Sequence, residues 1–183
     1  MEADRTVAIL GAGAVGGYLG ARLAASPFAP QVILIGRPLL VDAIEYNGLV
    51  LHEAGGNRTE RLAAVSSAEH VAPADLTVLT VRTYDVSSAV LQARRLMGEK
   101  GLLLAMQNGV GTEDELAEAL GRDRVLAGTL TASVTMDQPG VITRLSSSGG
   151  VALSTLNNLP VPHWVVDLFR ATGLQVSTTD DYR

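Results

Sequence analysis

Short apolar runs alternate along the chain with segments of helical period, and glycine, proline or asparagine punctuates most of the changes. Thr6 to Leu10 reads as a buried strand, and a glycine turn leads from it into a helix from about Ala14 to Ala25, stopped by Pro27 and Pro30. Gln31 to Ile35 is a second buried strand; Pro38 then opens a helix to about Tyr46, which Asn47-Gly48 ends. Leu49 to His52 and Arg61 to Val65 read as two strands of a hairpin around Gly55-Gly56-Asn57. Asp75 to Val81 is another strand. Val86, Val90, Ala93 and Met97 give one apolar helical face, predicting a helix over Tyr84 to Met97, with a strand at Leu102 to Met106. Thr112 and Glu115 have the spacing of a capping box for a helix through Leu120, closed by Gly121. Strand-like segments follow at Val125 to Thr135, Val141 to Leu145 and Val151 to Ser154, with Asp137-Gln138-Pro139-Gly140 as a turn. A helix from about His163 to Ala171 leads into Leu174 to Ser177.

This order predicts an α/β fold of the Rossmann type: one doubly wound, mostly parallel sheet with right-handed crossovers and helices on both faces. Its 183 residues suffice for one well-buried core, and residues 1–183 are expected to form a single domain. Composition sharpens the picture. Aromatics are only 4% and glycines number 19, so the core must come from Ala, Val, Leu and Ile with much tight turning. The net charge of −5 and a pI near 5.1 argue against nucleic acid or an anionic membrane as partner. The absence of cysteine excludes disulfides and thiolate metal sites, no metal site is expected, and a reducing cytoplasm suits such a chain. Thr6 to Ala21 carries no charge, yet its five glycines and the leader Met-Glu-Ala-Asp-Arg fit neither a membrane span nor a signal peptide. A soluble protein is expected.

In doubly wound sheets ligands sit beyond the carboxyl ends of the strands, so the residues after Leu10, Ile35, Val81 and Met106 matter most. The first of these turns is Gly11-Ala12-Gly13-Ala14-Val15-Gly16, a G-x-G-x-x-G step between strand and helix. Gly11 permits the tight turn, Gly13 lets the backbone meet a pyrophosphate, and Gly16 lets the helix pack closely on the strand. The helix start offers amides and a positive dipole end to the phosphates. At the second strand end an acidic residue would bind the ribose 2′-hydroxyl of NAD; instead the chain reads Ile35-Gly36-Arg37. The Arg37 guanidinium suits a 2′-phosphate, which points to NADP(H), against the plainer reading of a solvated loop arginine. Arg82, after the third strand, is either further positive charge near that phosphate or a surface residue opening a helix. Gln107 and Asn108 follow the fourth strand. The Asn108 amide either meets nicotinamide and substrate or simply precedes the turn at Gly109.

Together these segments resemble the ketopantoate reductases (2-dehydropantoate 2-reductases). Gly-Ala-Gly-Ala-Val-Gly-Gly-Tyr at 11–18, Gly36-Arg37, Val-Arg-Thr-Tyr-Asp at 81–85 and Gln-Asn-Gly-Val-Gly at 107–111 match the family's motifs in order, across essentially the whole chain. The resemblance implies that Arg37 meets the 2′-phosphate, that Gln107 and Asn108 lie along the cofactor, with Asn108 also binding substrate, and that a 2-oxoacid is the substrate. It implies hydride transfer from NADPH to ketopantoate, giving pantoate on the way to pantothenate and coenzyme A. Arg82 stands where the family usually has lysine, which keeps the charge but replaces a point charge with a fork.

Carbonyl reduction needs a donor for the oxygen that gains charge. The only lysine, Lys100, enters a strand and belongs at the amino edge of the sheet; His52, His70 and His163 fall at structural or exposed positions. The resemblance implies a general-acid lysine in a second, helical domain beyond Arg183, and so no catalytic residue in this chain. Loss of that docked domain would expose apolar surface and favour self-association, including a homodimer. Two other readings stand beside the reductase: a dinucleotide-binding or redox-sensing module without chemistry, and another NADP-dependent hydroxyacid or opine-type dehydrogenase.

Overall fold

The computed structural model describes residues 5–82, 86–106 and 111–179. Its chain order is β1 (Thr6–Leu10), α1 (Ala14–Ala24), β2 (Gln31–Ile35), α2 (Pro38–Asn47), β3 (Leu49–Glu53), β4 (Gly56–Glu60) and β5 (Ala63–Val65). There follow β6 (Leu76–Leu79), α3 (Val86–Met97), β7 (Leu102–Ala105), α4 (Thr112–Leu120), a 3-10 turn (Arg122–Arg124) and β8 (Val125–Leu130). β9 (Val134–Gln138), β10 (Val141–Arg144), β11 (Gly150–Thr155), α5 (His163–Arg170) and β12 (Gln175–Thr178) complete it.

The main sheet has eight strands in the order β12-β11-β8-β7-β6-β1-β2-β5. From β5 to β8 every pairing is parallel; β11 runs antiparallel to β8, and β12 parallel to β11. This is the mostly parallel, Rossmann-type sheet that the sequence predicts. Because side chains alternate across a strand, β1 feeds two cores at once: Val7 and Ile9 join one, Ala8 and Leu10 the other. The first core also takes residues of α1, α2 and α5, and the second those of α3 and α4, so helices cover both faces.

Three expectations give way to different arrangements. The hairpin partner of β3 is β4, not Arg61 to Val65: Glu53 pairs with Gly56 across the two residues Ala54 and Gly55. Gly56–Glu60 is polar throughout and gives no alternating signal, whereas Ala63–Val65 reads as a strand because it pairs in parallel with β2 at the edge of the main sheet. The predicted strand Val125 to Thr135 is two strands in two sheets. After Leu130 the chain leaves the main sheet, and β9 joins β10, β3 and β4 in a second sheet of order β4-β3-β10-β9. The capping box is also absent. Gly111 is the N-cap of α4 at φ 115°, so Thr112 is already inside the helix; Glu113 instead accepts the Gly111 N–H through Oε2 at 3.1 Å.

The second sheet lies against α1 on the side away from β1. A Cβ at Gly17 would strike Ile142 Cδ1, whereas one at Gly20 would come within 2.7 Å of Leu34 Cδ2. α1 is thereby enclosed between two sheets, with Gly16 to Ala21 all buried. That accounts for glycines in this helix beyond those a phosphate loop needs. No helix among the described residues is long and apolar enough to cross a membrane.

Candidate cofactor site

β1 is the strand at which the order of the main sheet reverses, with β2 on one side and β6 on the other. The loop after Leu10 is tied to both neighbours. The Gly11 and Ala12 N–H groups both donate to the Ile35 carbonyl at 3.0 Å, fixing the loop to the end of β2. On the other side the Thr80 N–H donates to the Leu10 carbonyl at 2.9 Å, and the Thr80 hydroxyl to the Gly11 carbonyl at 2.6 Å.

The three motif glycines meet different demands. Gly11 has φ +102°, and a Cβ there would lie 2.7 Å from the Val81 nitrogen, so both conformation and space require glycine. At Gly16 a Cβ would sit 2.5 Å from the Gly11 carbonyl oxygen and from Thr80 Oγ1, and 3.0 Å from Ile9 Cγ2; glycine there lets α1 close on β1 and β6. Gly13 is different. Its φ of −73° suits any L-residue, it is exposed, and a Cβ would meet no atom of the described residues within 4 Å. Gly13 is the N-cap of α1 and offers no side-chain cap, so the first-turn amides, in Ala14, Val15 and Gly16, lack both an intrahelical carbonyl and a capping oxygen. Ala12 is buried, while Ala14 and Val15 are half-buried beside the opening.

Arg37 is the N-cap of α2, its carbonyl accepting from the Leu40 and Val41 N–H groups. Its side chain is exposed and makes no ion pair or hydrogen bond with the described residues. Gly36 brings it close to the glycine loop: a Cβ there would stand 3.2 Å from Ala12 Cβ and 2.9 Å from Leu40 Cδ2. The glycine loop and the arginine turn are therefore adjoining parts of one surface, joined through the Ile35 carbonyl. Arg82 is exposed three residues past the end of β6, at the same edge of the sheet. Gln107 and Asn108, like Thr83, Tyr84 and Asp85, lie outside the described residues. Thr80 is the contributor that motif reading passed over; a hydroxyl closing the apolar run Leu76–Leu79 is the signal that marks it.

The candidate proton donors lie elsewhere. Lys100 is exposed between α3 and β7, at the amino edge of the parallel strands. His52 sits in β3 of the second sheet, with Nδ1 3.4 Å from the Thr143 hydroxyl; His70 and His163 are exposed.

The family model "Ketopantoate reductase PanE/ApbA" matches residues 7–158. Among curated proteins, the 2-dehydropantoate 2-reductase of Mesorhizobium japonicum is 30% identical over 156 residues, which cover 74% of this chain and 48% of that protein. The 2-dehydropantoate 2-reductase of Pyrococcus horikoshii is 34% identical over 134 residues, covering 73% of this chain and 42% of its own length. The chain thus spans about half the length of the curated relatives it matches. Among solved structures, a PanE/ApbA family ketopantoate reductase from Ralstonia eutropha superposes with a TM-score of 0.86 at 34% identity, over 96% of this chain and 57% of that one. The 2-dehydropantoate 2-reductase of Geobacter metallireducens gives a TM-score of 0.88 at 30% identity, over 96% and 58%. With the family match running from β1 past β11, and with the glycine loop, strand reversal and arginine turn in place, this chain belongs to the ketopantoate reductase family.

Proposed function

We propose that this chain is the NADPH-binding part of a 2-oxoacid reductase, one that reduces ketopantoate to pantoate in pantothenate and coenzyme A synthesis. The observation that carries the reading is the open space at Gly13. Gly11 and Gly16 are required by the fold itself, but nothing among the described residues explains why Gly13 lacks a side chain. A pyrophosphate lying against that backbone would. When bound, the nicotinamide supplies the hydride. The protein's part is to hold the phosphates on the Ala14, Val15 and Gly16 amides and the 2′-phosphate on Arg37, with Arg82 adding positive charge at the same edge. The family resemblance gives Gln107 and Asn108 the roles of meeting nicotinamide and substrate. Resemblance to the family implies a general acid for the substrate oxygen from a second, helical domain; Lys100 and the three histidines stand away from this edge. A reducing, cytoplasmic setting and a homodimer fit the same reading.

Calorimetric titration with NADPH and NADH tests it. A charge-assisted hydrogen bond from Arg37 contributes about 1.5–3 kcal/mol, hence a roughly ten- to hundredfold preference for NADPH. Arg37→Asp should erase that preference while leaving NADH binding in place. Equal affinities in the unmutated chain would overturn the 2′-phosphate assignment, and no saturation by either nucleotide would overturn the whole reading.

A further inference from the structure

Away from the glycine loop, a second set of charges gathers where α1 meets the end of the second sheet. Strand alternation explains their meeting. Leu51 and Ile142 are paired and buried in the core beside α1, so Glu53 and Arg144, two residues further along each strand, share that inward face. Arg58 stands opposite Leu51 on the other neighbour, β4. Tyr18 and Arg22, one helical turn apart on α1, complete the group.

Glu53 is shared by three guanidiniums: its Oε1 lies 2.5 Å from Arg22 Nη2 and 3.7 Å from Arg144 Nη1, and its Oε2 lies 3.4 Å from Arg58 Nη2. The hydrogen bonds it accepts come from Arg22 and from the Tyr18 hydroxyl, both at Oε1. Glu60 is 3.8 Å from Arg58 Nε. Three positive groups thus face two negative ones, an excess of one positive charge within a chain of net charge −5. Neither Arg58 nor Arg144 hydrogen-bonds to any described residue: both meet Glu53, and Arg58 also Glu60, at ion-pair distance only, and Arg58 Nε, Arg58 Nη2 and Arg144 Nε are closed off from water without a hydrogen bond. Donors shielded in this way nearly always have a partner, and a charged donor left without one is costly. Both side chains still reach the surface, Arg58 at 33% exposure and Arg144 at 14%.

We propose that Arg58 and Arg144, held by Glu53 at the end of the second sheet, form a binding site for a small oxyanion, a phosphate or carboxylate group. The guanidinium is the side chain whose planar fork fits such a group, and two that approach one carboxylate from different strands can accept a second anion. The site is separate from the glycine loop and stands whether or not NADPH binds there.

Inorganic phosphate and, in parallel, acetate can be titrated into the whole chain while the nitrogen–proton NMR signals of the arginine Nε–H groups are followed. Phosphate, acetate or both should shift the Arg58 and Arg144 signals saturably, and the stronger probe identifies the preferred class. Arg144→Gln should weaken that binding about tenfold or more, whereas Arg37→Gln should leave it unchanged. Signals unmoved by both anions, or equal affinity in Arg144→Gln and the unmutated chain, would overturn the proposal. Because the NMR readout uses the unmutated protein, it decides the matter even if Arg144→Gln does not fold.

Discussion

Adding one methyl group at Gly13 or at Gly16 separates what the fold requires from what the ligand requires. At Gly13 the backbone is already in a region open to alanine, and the new Cβ meets nothing within 4 Å among the described residues. The unfolded chain loses freedom, which favours the folded state by about 0.4–1 kcal/mol. Alanine is a poorer N-cap than glycine by a similar amount, so stability should stay within about 1 kcal/mol of the original. At Gly16 the Cβ would be 2.5 Å from a backbone carbonyl oxygen, which cannot swing aside. Overpacking of that kind costs about 1–3 kcal/mol. Binding should respond in the opposite sense. The Gly13 methyl occupies the place assigned to the pyrophosphate, and displacing the phosphates by the same 1–3 kcal/mol weakens NADPH roughly 5- to 150-fold. Urea denaturation followed by the fluorescence of the single tryptophan, Trp164, gives the stabilities, and calorimetry gives the affinities. Unchanged NADPH affinity in Gly13→Ala would refute the argument, as would a loss of stability in Gly13→Ala equal to that in Gly16→Ala.

Further outcomes concern the charges and packing around α1. Glu53→Gln removes the carboxylate at the centre of three guanidiniums, itself only 12% exposed, and should cost about 3–5 kcal/mol in urea denaturation; a loss under about 1 kcal/mol would show the cluster to be well solvated. Burial raises the Tyr18 pKa above its ordinary 10.0, against the lowering pull of Arg22 and Arg144. The folded state therefore holds that proton more tightly than the unfolded chain, and the stability this gives is present below pH 10.0 and lost as pH rises through the folded-state value. Tyr18→Phe should flatten the alkaline fall in stability, and a fall of unchanged steepness would contradict the assignment. Gly17→Ala should destabilise by crowding Ile142 Cδ1, and Ile142→Val should restore part of the loss by removing that methyl; no rescue would mean the two sheets do not close on α1 there.

The amino-acid sequence by itself determined the elements whose signals are local. A strand buried on both faces is a continuous apolar run, a helix shows its period and its glycine stop, and the G-x-G-x-x-G step reports a turn made within six residues; β1, α1, β2 and α2 were legible for that reason, as was the Gly36-Arg37 turn. Tertiary structure alone decided which strands pair. Gly56–Glu60 has no apolar alternation, and only the ladder with β3 makes it a strand. Ala63–Val65 looks like a hairpin arm and becomes the sheet edge beside β2, because pairing energy depends on partners far along the chain. The same holds for function. The motif gave Gly11, Gly13 and Gly16 separate roles but left Gly17 and Gly20 unexplained; three-dimensional packing assigns Gly11 and Gly16 to the loop's own geometry, Gly17 and Gly20 to the sheets enclosing α1, and puts no atom of the described residues where a Gly13 side chain would stand. The Glu53 cluster was invisible for a like reason, since residues 18, 22, 53, 58 and 144 share no spacing and meet only where two strand ladders and a helix converge.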